Sequence, residues 1–188
     1  MQELAASGLD RTGGAAVTPV DRHDVVAASF EAYHAELYGF LRRGTRDESA
    51  AEDLLQDAFL SLAREISKGR SPDNIRAWLY RVAANLIVSR ARKRKTIIDW
   101  LSRQGSSPGG SEDGPEVATL QRERSLEVDV ALASLPADAR TALLLASEGF
   151  SGHEIAEAIG RTDIATRAMM CRARVRVRLE LERSETPT

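Results

Sequence analysis

Cysteine occurs once in this chain of 188 residues, at Cys171, so no intrachain disulfide can form and no zinc-ligand spacing exists. His23, His34 and His153 stand far apart in sequence and make no ligand motif. Aromatic residues are only 5% of the total, which leaves an aliphatic core of the kind helical bundles use. No apolar run approaches the roughly 18 residues of a membrane span, and the N-terminus has no signal-peptide core. Paired carboxylates in a plausible pocket, a nucleophile with its base and a phosphate-cradling glycine loop are all missing. These absences leave a cytoplasmic helical protein with no catalytic residue, no metal and no cofactor expected.

Excess charge of one sign is also lacking, since the formal net charge is only −2. Its distribution is uneven. From Arg70 to Arg103 nine basic residues face two acidic ones, a surplus of seven, and from Arg161 to Arg178 six arginines face one aspartate. The acids gather between Glu31 and Glu65 and between Glu112 and Asp129. Two separated basic blocks suggest two nucleic-acid contacts on one chain.

The stretch Trp78 to Lys95 carries two faces at helical period. Ile75, Leu79, Val82 and Leu86 form an apolar stripe fit for burial. Trp78, Arg81, Asn85, Ser89 and Arg92 form a second stripe, which runs into Arg90, Lys93, Arg94 and Lys95. An aromatic plane can stack on an unpaired base, Asn can read a base edge, and clustered cations hold phosphates.

Four segments follow from the chain's punctuation. Residues 1–23 are a flexible tail rich in small residues. Residues 24–101 make a first helical domain. Its opening helix turns Phe30, Tyr33, Leu37 and Phe40 inward. A second helix starts from a capping box, Ser49 with Glu52, and buries Ala51, Leu55, Ala58, Phe59, Leu62 and Ile66. Asp53, Gln56, Asp57 and Leu60 lie opposite, an acidic face around one exposed leucine that suits a partner protein. Residues 102–119, with QGSSPGGSEDGP at their centre, are a flexible linker that leaves the two halves free to vary in separation. Residues 120–183 make a second domain. There Leu135-Pro136 breaks one helix, Ala137 to Ser147 form the next with Leu143, Leu144 and Leu145 inside, and Ser151 to Ile159 form a short one. Gly160 supplies a left-handed turn and Thr162 caps a long helix with Thr166, Met170, Ala173 and Val177 inward. The last two helices make a helix-turn-helix whose second member carries Arg167, Arg172, Arg174, Arg176 and Arg178.

In this order the parts resemble a group IV (extracytoplasmic-function) sigma factor of bacterial RNA polymerase, a branch of the sigma-70 family. AEDLLQDAFLSL (Ala51 to Leu62) resembles the polymerase-docking region 2.2. AWLYRVAANLIVSRARKRK (Ala77 to Lys95) resembles regions 2.3 and 2.4, which melt and read the −10 element. LASLPADARTALLLASEGFSGHEIAEAIG, followed by RARVR, resembles region 4, which reads the −35 element. The resemblance implies an all-α fold of two small domains. It implies that Asp53, Gln56, Asp57 and Leu60 meet the clamp helices of the polymerase β′ subunit, and that region 4 meets the β flap. Trp78, Arg81, Asn85 and Ser89 would hold the opened −10 strand, and Arg90, Arg92, Lys93, Arg94 and Lys95 the upstream phosphates. Arg161, Arg167, Arg172 and Arg174 would dock the −35 duplex. An anti-sigma factor is the implied regulator. Two other readings fit parts of the chain: a sigma-like decoy that binds only an anti-sigma protein, and a free-standing helix-turn-helix regulator. The recognition helix also departs from the family pattern: Thr166 replaces a buried Val, Met169 a DNA-facing Arg, and Arg161 a usually apolar residue. Ser89 stands where the family usually has Asp. The departures at Thr166, Met169 and Arg161 imply an altered −35 contact.

Overall fold

A computed structural model describes residues 19–103 and 120–184 and is helical throughout, with no strand among the described residues. The helices are α1 (Pro19–Thr45), α2 (Glu48–Ser67), α3 (Ile75–Arg103), α4 (Leu120–Ala133), α5 (Ala137–Ser147), α6 (Gly152–Ile159) and α7 (Asp163–Ser184). Of the expected tail (1–23) and linker (102–119), residues 1–18 and 104–119 lie outside the described residues. Helix α1 begins at Pro19, ahead of the expected start near Asp24, and proline is tolerated in a first helical turn.

Helix α2 does not use the expected Ser49–Glu52 box. Its N-cap is Asp47, whose Oδ1 accepts the Ala50 N–H at 2.9 Å. A carboxylate at that position satisfies an orphan donor and faces the positive end of the helix, so the helix starts before Ser49 is reached. Leu54 is buried rather than Leu55, alongside Ala51, Ala58, Phe59, Leu62 and Ile66. In α1, Leu37 and Phe40 are fully buried while Phe30 stays exposed, stacked on His34.

Helix α3 departs most from its expected pattern. Leu79, Tyr80, Ala83, Ala84, Ile87 and Val88 are buried, whereas Ile75, Val82 and Leu86 are only half-buried. One stripe has become two because α3 is covered on two flanks: α1 and α2 on one, α5 and α6 on the other. Near the C-terminus of α1 the approach is close enough that a side chain at Gly44 would collide with Ile87 Cδ1.

The second half follows its sequence signals. Pro136 opens α5, and Ser151 and Glu154 form a reciprocal capping box on α6. Gly160 takes a left-handed backbone, φ 64°, that a β-carbon disfavours. Thr162 Oγ1 accepts the Ala165 N–H at 3.3 Å. Thr166, Met170 and Ala173 face inward, and Val177 is half-buried.

The halves are not independent, contrary to the freedom expected of a slack linker. One continuous core runs from Leu37, Phe40 and Leu62 through Tyr80, Ala84 and Val88 to Leu145, Ile155, Ile159 and Met170. Tyr80 makes an edge contact with Phe40 at 5.0 Å and meets Phe150 of the second half at 6.0 Å.

Two hydroxyls inside this core, on Thr141 and Thr166, have no hydrogen-bond partner. An unsatisfied buried polar group costs about 1–3 kcal/mol, and an apolar group of the same shape removes that cost. Thr166→Val, restoring the side chain the family pattern has there, is expected to stabilise the chain by about 1 kcal/mol and raise its melting temperature by about 2–4 °C. A melting temperature at or below the parent's would show that Thr166 Oγ1 is satisfied in solution.

Candidate nucleic-acid interface

Three surfaces hold the residues singled out from sequence. On α2, Asp53, Gln56, Asp57 and Leu60 are all exposed, opposite the buried stripe. Leu60 is 44% exposed, an apolar side chain ringed by acids.

On α3, Asn85 is exposed and its Oδ1 accepts the Ser89 hydroxyl at 3.3 Å. With Oδ1 so engaged, the Asn85 NH₂ has no described partner. Trp78 and Arg81 are half-buried. Trp78 packs against the shared core. Arg81 is close enough to α6 for its charge to act on Glu154, whose carboxyl is held below the usual range mainly by the Ser151 N–H and hydroxyl. Arg90, Arg92, Lys93, Arg94 and Lys95 are exposed. Arg90 lies 3.9 Å from Asp53 of α2, an exposed pair of little energetic weight that places the acidic face and the cationic run side by side.

On the second half, Arg161, Arg167, Arg172 and Arg174 are exposed. Arg161 is paired with Asp138 of α5, which ties the turn of the helix-turn-helix to the preceding helix. Met169 departs from its expected outward position: it is 8% exposed and belongs to the shared core. Helix α7 packs on α4, α5 and α6 of its own half, and Met169 lies where that packing meets α3. Met169, Arg172, Ala173 and Arg176 of α7 face Val88, Ala91, Arg92 and Lys95 of α3 across a cleft of about 700 Å³.

The sequence reading missed Arg140, which is 7% exposed. Its Nε and Nη2 both donate to the Gly44 carbonyl, at 3.0 and 2.7 Å, and Nη1 donates to the Leu135 carbonyl at 3.1 Å. Burial, helped by the charge of Arg46, pulls its pKa down to about 10, so it stays protonated near neutral pH. The available signal was its place in ADARTALLLA, a cation on the inward side of an apolar helix.

A helix-turn-helix half and a helical half with an aromatic–amide–cation stripe, both basic on one face, define a bipartite promoter-recognition protein. Comparison with known proteins narrows the class. Residues 29–105 match the sigma-70 region 2 family and residues 125–177 match the sigma-70 region 4 family. The chain is 30% identical to the ECF RNA polymerase sigma factor SigM of Mycobacterium tuberculosis, over 79% of this chain and 72% of that one. It is 30% identical to the RNA polymerase sigma-H factor of Pseudomonas aeruginosa, over 76% and 78%. It is 32% identical to the RNA polymerase sigma factor CarQ of Myxococcus xanthus, over 81% and 90%. In fold it resembles the sigma factor RpoE of Bartonella quintana, solved in complex with the anti-sigma factor NepR (TM-score 0.64, 24% identity, 85% of this chain and 98% of that one). The chain belongs to the extracytoplasmic-function sigma factors of the sigma-70 family.

Inside the helix-turn-helix, His153 of α6 reaches Asp163 of α7 at 3.2 Å. The Asp163 carboxylate raises its pKa, with Glu157 and Glu154 adding in the same direction. A raised folded-state pKa means that the contribution is fully present below the unfolded value of about 6.5 and is lost as pH rises through the folded value. His153→Gln is therefore expected to melt below the parent near pH 5.5 and level with it near about pH 8. Equal offsets at both pH values would show that the contact does not depend on protonation.

Proposed function

We propose that this sigma factor divides its work among the three surfaces. Asp53, Gln56, Asp57 and Leu60 dock on the clamp helices of the polymerase β′ subunit, while the second half sits at the β flap. Trp78, Arg81, Asn85 and Ser89 hold the opened −10 strand. Arg90, Arg92, Lys93, Arg94 and Lys95 hold the phosphates upstream. Arg161, Arg167, Arg172 and Arg174 dock the −35 duplex. Capturing an extruded base and the single strand offsets the few kcal/mol that unstacking costs, and bond-making is left to polymerase.

The observation that carries this reading is the α2 face. Leu60 stands exposed among Asp53, Gln56 and Asp57 on a helix whose other side is buried. A patch that merely solvated the helix would have no use for that leucine at the centre of an acidic ring. As a docking face it has an apolar anchor and complementary charge for a basic partner.

Regulation by an anti-sigma factor is inferred from the complex in which the RpoE relative in fold was solved. No described helix is long and apolar enough to cross a membrane, which accords with work beside polymerase in the cytoplasm.

The double variant Leu60→Ala with Asp57→Ala should melt within about 0.5 kcal/mol of the parent, because both side chains are exposed. It should nevertheless bind core polymerase about thirtyfold more weakly, as truncation at a docking anchor costs about 2 kcal/mol. Unchanged affinity on the same preparation would return the face to surface decoration. Asn85→Ala should leave duplex affinity intact yet lower permanganate reactivity of the −10 thymines in the polymerase complex. Normal reactivity would remove Asn85 from strand capture.

A further inference from the structure

Four side chains on the outer face of α7 are apolar, exposed and in line. Ile164 is 82% exposed and Val175 55%, and Ala168 and Cys171 between them are exposed as well. Spacings of four, three and four put them on one narrow stripe, opposite the buried Thr166, Met170 and Ala173. A single exposed apolar residue is ordinary, but a line of them on so cationic a helix asks for a counterpart. Cysteine counts here as a small apolar group with a weak S–H donor. At about 100° per residue, Arg167 and Arg174 flank the stripe on one side and Arg172 and Arg176 on the other, all four exposed.

An apolar strip between two rows of guanidinium groups matches a DNA major groove, where base edges make the floor and phosphates the two walls. The groove is about 12 Å wide and a helix with its side chains about 10–12 Å across, so the one fits along the other. A second copy of α7 would set arginine against arginine, which the charge disfavours. Other polar groups at this end of the helix are engaged elsewhere. Thr162 Oγ1 accepts the Ala165 N–H, Asp163 pairs with His153, and Thr166 is buried. The stripe is left with the one apolar group that base edges present in the major groove, the C5-methyl of thymine.

We infer that the recognition helix reads its −35 element through thymine methyl groups, by contact with Ile164, Ala168 and Cys171, while the arginines hold the phosphates. The inference rests on the −35 docking proposed above and adds what is read there. The N-terminal residues of a recognition helix are the ones that reach base edges. Ile164 to Cys171 span about 10 Å, roughly the rise of three base pairs. The element should therefore place T·A pairs, in either orientation, within three successive positions.

The test uses holoenzyme assembled from the full chain and core polymerase, with promoter-length duplexes selected from a random-sequence pool. The selected −35 elements should share thymines within a three-pair window. Replacing those thymines one at a time by deoxyuridine removes the methyl and nothing else. Each replacement inside the window should weaken binding about fourfold, the effect of exposing one buried carbon of that size, and replacements outside it should not. Ile164→Ser should bind the thymine and uracil duplexes alike at one of these positions. It should melt like the parent, because the side chain lies outside the core. Equal affinity of the parent for thymine and uracil duplexes would overturn the inference. So would a uracil penalty that persists in full in Ile164→Ser, Ala168→Ser and Cys171→Ser. If Ile164→Ser weakens binding to core polymerase instead of to DNA, the stripe is a protein-docking face and the inference fails. A selected pool with no common −35 element, together with unchanged affinity in Arg167→Ala, would remove the −35 docking itself.

Discussion

Burial of α3 on two flanks is the constraint on which the rest of the molecule depends. A helix that packs on one side needs a single stripe, and Leu79 and Ala83 would serve for that. Tyr80, Ala84 and Val88 add a second stripe, which is covered because α5 and α6 lie against it. The alanines matter here as much as the large residues. Ala83 and Ala84, both fully buried, let neighbouring helices come close on either side. Tyr80 fills the junction: it touches Phe40 in one half and Phe150 in the other, and the Arg76 guanidinium sits 4.7 Å above its ring. Burial, with the charges of Glu148 and Glu36, pushes the tyrosine hydroxyl up to about 12, so it remains neutral in its place.

A helix buried on two flanks can expose function only on what is left of its circumference and beyond the end of the packed region. Both remainders are used. Asn85 and Ser89 occupy the uncovered strip, and the run from Arg90 to Lys95 begins where Val88 ends the buried segment. The cations therefore project from the bundle's end, away from the acids of α2 except at Arg90 and Asp53. The near-zero net charge of the whole chain hides this arrangement, since the docking face and the nucleic-acid face need opposite signs on one small body.

Much of this was legible in the sequence, because local signals and tertiary demands agreed. Pro136 and Gly160 set boundaries of α5 and α6 as expected, while the Ser151–Glu154 box that starts α6 had gone unread. The exposed face of α2 followed from its period, although the register of the buried face moved from Leu55 to Leu54. What could not be read was any consequence of the halves meeting. Periodicity reports that a helix has an apolar face, not how many neighbours share it. Thus the second stripe of α3 went unnoticed; Met169, expected at the surface, also lies in the core, on a helix covered by three others of its own half. Arg140 is the instructive case. A charged residue on an inward face reads as an error in the pattern unless its acceptor is known, and that acceptor, Gly44, lies 96 positions earlier in the chain.

The choice of arginine over acid–base pairs at this junction has a physical rationale. A buried salt bridge requires two charges to be stripped of water, and either is strongly destabilising once separated from the other. A guanidinium on a helix terminus requires one. The last-turn carbonyls it caps would otherwise be left to water, as at any exposed helix end, so one charge satisfies them without a second buried ion. Among the described residues, Arg76–Glu148 is the one ion pair that joins the halves, and Glu148 sits at the C-cap of α5, at the Arg76 end of α3 and well along that helix from Arg90 to Lys95. The junction is thus held by single charges on helix ends around one continuous core, with its only described ion pair kept at the end of α3 remote from the cationic run.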